Sequence, residues 1–476
     1  MRNVSLAGAL RGAFDAHASA HASRESTPPN SPLEAAPTHG PHWLQVGITI
    51  ANCLVGAGCL GLPYALRQAG WAGLLIILLA TLTTCITAKM LVASIETLNT
   101  RKVSCTTYDE LVERTFGCAG GVVMKVMTVA ELYGGVVCMV TLHAVNWPVL
   151  LQMPAAPLEA FGIGTDAHVV VSVAVSVLAL PTLLVQARYL SAFAAVGLTA
   201  TLTVAAVTVI APLTADMPLP DGAACPVLDA STPPGARMGH ELIRLDGVGV
   251  ATGLALFAFA GHATFPEMWR QMPARERAKF GQACDVGFGL AALFYTSLAA
   301  LGYFFFGACA ADSLTLNLMD ISPALGRVAT CGVLLSTFTS ISVLSVPVAR
   351  ICREAAACGD RAAITRLRQR ASSTLGVLQH ADALTLCIKV SMMTLAAVLA
   401  TTVPNFGLIV ALIGAFTCML ISLVLPALCH LAVHRTELSL CSLAMHAIIV
   451  LAGLIGMVIG VQGTLAGASA DGGGDR

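Results

Sequence analysis

Residues 52–65 read Asn52-Cys53-Leu54-Val55-Gly56-Ala57-Gly58-Cys59-Leu60-Gly61-Leu62-Pro63-Tyr64-Ala65. The centre of this stretch fits G-x-G-x-x-G letter for letter, but a dinucleotide-binding turn needs a preceding strand and an acid about 20 residues on. Here the glycines lie inside a long apolar segment, and the next acidic residue is Glu96. The dinucleotide reading therefore fails. What remains is a segment long enough to cross lipid, weakened at its middle by three glycines and then Pro63. Backbone left unpaired at bilayer depth costs several kcal/mol per group and persists only where it lines a cavity or holds a ligand.

The surroundings support a membrane setting. The chain has 476 residues, 56% hydrophobic and 11% charged, with a mean hydropathy of +0.80. Soluble domains carry roughly 25% charged residues. Net charge is zero, so nothing points to nucleic acid. Apolar segments recur at approximately 43–66, 70–95, 121–150, 167–186, 190–213, 247–268, 283–307, 323–349, 383–403, 405–431 and 439–463. A hydrocarbon layer of about 30 Å needs about 20 helical residues, so we expect eleven transmembrane helices. Continuous apolar runs such as 74–80 and 447–457 exclude the alternating strands of a membrane β-barrel.

Residues 1–42, rich in Ala, Ser, His and Pro, read as a disordered tail; 43–463 form the membrane domain, and 464–476 a short disordered carboxyl tail. Placing the amino terminus in the cytosol leaves only Arg67, Arg237, Arg244, Arg327 and Arg476 on the far side. The remaining basic residues, including the cluster at 350–370, then face the cytosol, which fixes the orientation. The carboxyl end faces outside or a lumen, in the plasma membrane or a vacuolar or lysosomal one. Most of the 16 cysteines lie singly within apolar runs, without metal-site spacing. Cys225 and Cys309 fall together on the non-cytosolic side and form the candidate disulfide.

A second weakened segment is Phe257-Ala258-Phe259-Ala260-Gly261-His262, running into Pro266. Spans 1–5 and 6–10 thus form two blocks, each opening with an interrupted helix. Matched breaks in two halves point to an inverted-repeat transporter with its site at the bilayer midplane. Amino ends of half-helices hold a carboxylate, and exposed carbonyls hold an ammonium or a sodium ion. A zwitterionic amino acid satisfies both.

The stretch 52–65, with Ala69-Gly70-Trp71 after it, resembles the first helix of the amino acid/auxin permease family. Gly261-His262-Ala263-Thr264-Phe265-Pro266-Glu267 resembles that family's sixth helix. Val403-Pro404-Asn405-Phe406-Gly407, with Gly414-Ala415 and Leu425-Pro426, resembles its tenth. The likeness covers about residues 43–463. It implies an all-α, LeuT-like 5+5 inverted repeat with discontinuous helices 1 and 6 plus one extra helix. It further implies amino acid transport driven by a proton or sodium gradient. By the same resemblance, Gly56, Ala57 and Gly58 bind the substrate carboxylate, and the break at Phe259, Ala260 and Gly261 faces the amino group. Asn52 matches a sodium-site asparagine, with Ser342 and Ser345 of span eight as candidate hydroxyl partners.

Glu131 lies deep in span three, where an acid is costly and must face the protein interior. It reads either as a protonation site for coupling or as a paired acid that packs helices. His262, at the second break, reads as a substrate or proton ligand, or as a hydrogen-bonded structural histidine. His143 and Asn146, beside Trp147-Pro148, read as interfacial, and His446 as a packing residue. Glu267, at the end of span six, reads as an exposed pair of little consequence or as a gate through Arg270 or Arg350. No nucleophile–base or metal cluster suggests an enzyme, and no cofactor is implied beyond a coupling proton or sodium ion. The partners expected are an amino acid substrate and the lipid bilayer; nothing sets an oligomeric state. The leading reading is a secondary active transporter of amino acids, neutral ones given the small apolar lining. The second reading is an amino acid sensor of the same fold, which binds substrate and signals instead.

Overall fold

The computed structural model describes residues 40–153, 158–160, 163–183, 190–214, 239–359, 383–403 and 405–471. Within them the chain is helical apart from short connections and one antiparallel hairpin, β1 (Leu158–Ala160) with β2 (Ile163–Thr165). Eight helices are long and apolar enough to cross a membrane, and Trp43–Leu54, Ala167–Pro181 and Thr199–Ala211 are shorter apolar helices. The first segment is α1 (Trp43–Leu54), a 3-10 turn (Ala57–Gly61) and α2 (Leu62–Ala69). Next come α3 (Gly73–Thr100), α4 (Tyr108–Leu150), α5 (Ala167–Thr182) and α6 (Leu190–Thr214). The second half opens with α7 (Val248–Ala258), a 3-10 turn (His262–Thr264) and α8 (Phe265–Arg270). It continues through α9 (Ala274–Arg277), α10 (Phe280–Phe306), α11 (Leu314–Ile321), α12 (Pro323–Gly359) and α13 (Ala383–Thr402). The tenth span is α14 (Phe406–Ile413), a π-helical stretch (Gly414–Val424) and α15 (Leu425–Val433), followed by α16 (Leu440–Asp471).

Local chemistry sets several of these boundaries. His42 and Gln45 form a capping box that starts α1 at Trp43. Thr107 and Glu110 do the same for α4, well before the expected start at residue 121. Gly117, at φ 79°, bends that helix just before the apolar run, a conformation that glycine adopts without strain. Asn405 caps α14 by accepting from the Leu408 N–H at 2.8 Å. The expected disordered tail from residue 464 is in fact helical through Asp471. Cys309 is in a disulfide, while Cys225 lies outside the described residues.

The core follows from burial. The most apolar window of the tenth span is 67% buried, against 22% for α16, so the tenth span sits at the centre and α16 at the rim. Leu75, Leu78, Leu79 and Leu82 are exposed along one stripe of α3, as are Ile448, Leu451, Ile455 and Ile459 on α16. Such stripes at helical spacing are faces that meet lipid. Several buried hydroxyls bond back within their own helices: Thr84 Oγ1 donates to Ala80 O at 2.5 Å and Ser345 Oγ to Ile341 O at 2.6 Å.

The centre depends on close backbone approach. A methyl on Gly414 would collide with the Gly253 carbonyl oxygen, and one on Gly253 with the Ala411 carbonyl oxygen. Neither obstacle is a flexible side chain. Gly414→Ala is therefore expected to cost about 1–3 kcal/mol, the usual range for overpacking. Gly289→Ala, where nothing lies within 4 Å, serves as the neutral control. Thermal melting of detergent-solubilised protein checks this, and equal midpoints for the two variants would contradict the packing.

Candidate functional site

The two glycine-weakened segments are interrupted in the same way. α1 stops at Leu54, after which Val55 (φ −73°, ψ 92°) and Gly56 (φ −137°, ψ −159°) are extended. The 3-10 turn then leads into α2, which carries Pro63 in its first turn. α7 stops at Ala258, Gly261 is extended (φ 175°), and the second 3-10 turn leads into α8 with Pro266 in its first turn. Proline suits the first turn because its missing N–H would have had no helical acceptor there. Each break therefore leaves carbonyls at the end of one half-helix and N–H groups at the start of the next without helical partners.

The breaks lie side by side. A Cβ on Gly58 would stand 3.1 Å from Ala258 Cα and 3.2 Å from Phe257 Cδ1. A Cβ on Gly261 would stand 3.3 Å from Leu54 Cδ2. From α10, Tyr295 directs its hydroxyl at both half-helix ends, donating to Leu54 O and to Ala258 O. Next to the first break is a small cavity. Gly56, Cys59 and Leu60 form one wall, Ala200, Thr201 and Val204 of α6 a second, and Val333, Ser336 and Thr337 of α12 a third. Its lining is small, apolar or hydroxyl-bearing, with no charged side chain.

The sequence-derived residues are distributed around this centre. Gly56 borders the cavity, Gly58 packs on α7, and Ala57 begins the turn between them. Ala260 and Gly261 are half-buried at the second break. The Phe259 side chain is wholly buried, with its ring 5.1 Å from Tyr295 and 6.2 Å from Phe288. His262 is wholly buried against α3, with Nε2 3.1 Å from both Thr84 O and Thr87 Oγ1, while Nδ1 has no partner. A carbonyl can only accept, so Nε2 carries the hydrogen. Glu131 is buried between α4 and the π-helical stretch. Its Oε1 accepts from Cys418 Sγ at 3.7 Å, and Oε2 has no partner. Asn52 sits on α1, which packs chiefly on α10. Ser342 and Ser345 are buried on α12, which packs chiefly on α4 and α6. The proposed sodium ligands thus belong to helices with different principal neighbours.

Two residues read as interfacial are interior instead: His143 is 2% exposed and Asn146 1%. The reason is that α11 and α12 pack against the carboxyl-terminal part of α4. Thr315 Oγ1 donates to Asn146 Oδ1 at 2.6 Å, and Ser313 meets Thr315 at 2.7 Å. His143 Nδ1 accepts from Trp147 Nε1 at 3.0 Å, so its Nε2–H faces Thr337 Oγ1, a cavity-wall hydroxyl, at 3.1 Å. The loop before α11 closes over α2 and α14. There Asp312 Oδ2 accepts from the Gly407 N–H at 3.2 Å, and Arg67 donates to Ala310 O at 3.0 Å. Burial pushes the Asp312 carboxyl above the usual carboxylate range, opposed by hydrogen bonds from the Gly407, Ser313 and Phe406 N–H groups. Glu267 pairs with Arg270 at 3.4 Å on the exposed surface, and His446 packs with His430 at 2.9 Å.

The chain is similar to known proteins. Amino acid transporter AVT1D of Arabidopsis thaliana is 24% identical over 419 residues, covering 88% of this chain and 68% of that protein. Amino acid transporter AVT3A of the same plant is 26% identical over 448 residues, covering 91% of this chain and 92% of that protein. Among solved structures, a substrate-bound, outward-open Na+-coupled sialic acid symporter aligns over 96% of this chain and 95% of its own, with 11% identity and a TM-score of 0.47. Residues 39–466 match the family described as transmembrane amino acid transporter protein. The match spans nearly the whole chain, and this all-helical, multi-pass membrane protein belongs to that family.

Proposed function

We propose that the protein is a secondary active carrier of neutral amino acids that works by alternating access. In this reading it has eleven spans. Spans 1–5 and 6–10 form a LeuT-like inverted repeat, and α16 stands outside it. The observation that carries the reading is the contact between two half-helix breaks, Gly58 against Ala258, beside a cavity without charged side chains. The substrate carboxylate lies at the N–H groups of Gly56, Ala57 and Gly58, where the dipole of the following helix favours an anion. The ammonium faces the carbonyls of Phe259, Ala260 and Gly261. A charged substrate side chain would meet no opposite charge in this lining, which supports neutral substrates.

For coupling we favour a proton taken up at Glu131 over sodium held by Asn52 with Ser342 or Ser345. A buried carboxylate with one thiol partner is poorly compensated when charged. Its proton occupancy is therefore tied to whichever conformation exposes it. In this reading the amino terminus is cytosolic, which the lysine and arginine distribution supports. Proton coupling suits the plasma membrane as well as an acidic organelle.

The decisive measurement is counterflow in proteoliposomes against a panel of amino acids, with pH and sodium gradients varied separately. A sensor of the same fold would bind an amino acid without exchanging it. Gly56→Val tests the site cleanly, because a Cβ there meets nothing nearer than Leu54 O at 3.9 Å. The new side chain should leave insertion and melting unchanged and reduce counterflow at least about tenfold, the effect of a small misplacement at a reacting or binding centre. Wild-type counterflow in that variant would remove the first break from the site. Glu131→Gln should keep counterflow and lose accumulation driven by a pH gradient. Retained pH-driven accumulation would show that the coupling proton binds elsewhere.

A further inference from the structure

The two interrupted ends are joined through a side chain of a third helix. Tyr295, near the middle of α10, is 0% exposed, and its hydroxyl donates to Leu54 O and to Ala258 O, the latter at 3.0 Å. Leu54 and Ala258 are the last residues of α1 and α7. Their carbonyls belong to the group that a helix end leaves without backbone partners. The Phe259 ring, edge-on at 5.1 Å and 75°, holds the phenol in place. A phenol has one hydrogen to give, so the two carbonyls share it.

We propose that Tyr295 is a positioning residue that pins the two breaks together. By passing its single hydrogen between the Leu54 and Ala258 carbonyls, it lets the half-helices shift relative to each other without leaving either carbonyl bare for long. A buried acceptor that loses its partner pays its full desolvation cost, so the shared hydrogen sets both the spacing of the breaks and the ease of changing it. The role as a pin within a transport cycle rests on the carrier reading above; the pinning itself does not.

The test is Tyr295→Phe, which keeps the ring in its aromatic surroundings and removes only the hydroxyl. Peptide-level hydrogen–deuterium exchange on the full-length protein, without ligand, should show faster exchange around Leu54–Gly58 and around Phe259–Thr264 together. The expected increase is about five- to tenfold, the size of one lost buried hydrogen bond. The remaining helices should exchange as in the wild type. An increase at one break only, at neither, or spread evenly over the molecule would overturn the pin, the last outcome marking a merely structural tyrosine. In proteoliposomes the same variant should lose counterflow rate with the half-saturating amino acid concentration preserved. If the wild type binds amino acids but exchanges none, the carrier reading fails while the exchange pattern still decides the pin.

Discussion

Inside a hydrocarbon layer, a peptide group without a partner has no water to turn to. Every backbone N–H and C=O must be matched within the protein. Hydroxyls such as those of Thr84, Ser94 and Ser345 bond back one turn, and Gly253 and Gly414 let helices touch along their backbones. The breaks in the first and sixth spans are the exception, and the rest of the structure is arranged to tolerate them. They lie against each other at the middle of the protein, glycine to backbone, with a tyrosine serving both exposed ends and a small cavity alongside. The aliphatic stripes of α3 and α16 lie on the opposite, lipid-facing sides of their helices.

The surroundings of the breaks give chemical character to what they hold. Hydroxyls of Thr201, Ser336 and Thr337 face the cavity, and His143 supports one of them from behind. Glu131 is set apart from the cavity lining and faces Cys418 on a stretch of π-helix. Single-turn π-bulges often mark functional sites, and this stretch spans Gly414–Val424. The carrier proposed above thus assigns substrate recognition and charge movement to different groups.

Much of this was legible in the amino-acid sequence, for a physical reason. Gly56, Gly58 and Pro63, and then Gly261 and Pro266, break helices through local conformational preference, and apolar length reports the membrane directly. Side chains that depend on distant partners were not legible. His143 and Asn146 sit beside Trp147, and a tryptophan near a span end signals the membrane interface. Their burial comes from Thr315 and Thr337, more than 150 positions away in the chain. Tyr295 looked like one more aromatic in an apolar helix, because nothing local indicates that two carbonyls will converge on it. The π-helical geometry of the tenth span leaves no trace in composition, and the helical continuation to Asp471 runs through Gly- and Ala-rich sequence that resembles a tail.

The prolines that open α2 and α8 carry one more consequence. For the first span to re-knit into a single rod, Pro63 would have to donate a hydrogen it lacks to the carbonyl of Cys59, and its ring would strike that oxygen; Pro266 stands in the same relation to His262. Closing either gap into a straight helix would therefore cost about 3 kcal/mol or more at its proline. In the carrier proposed above, motion then favours swinging short rods about lasting gaps, which keeps the proposed binding groups unmasked on both sides of the membrane.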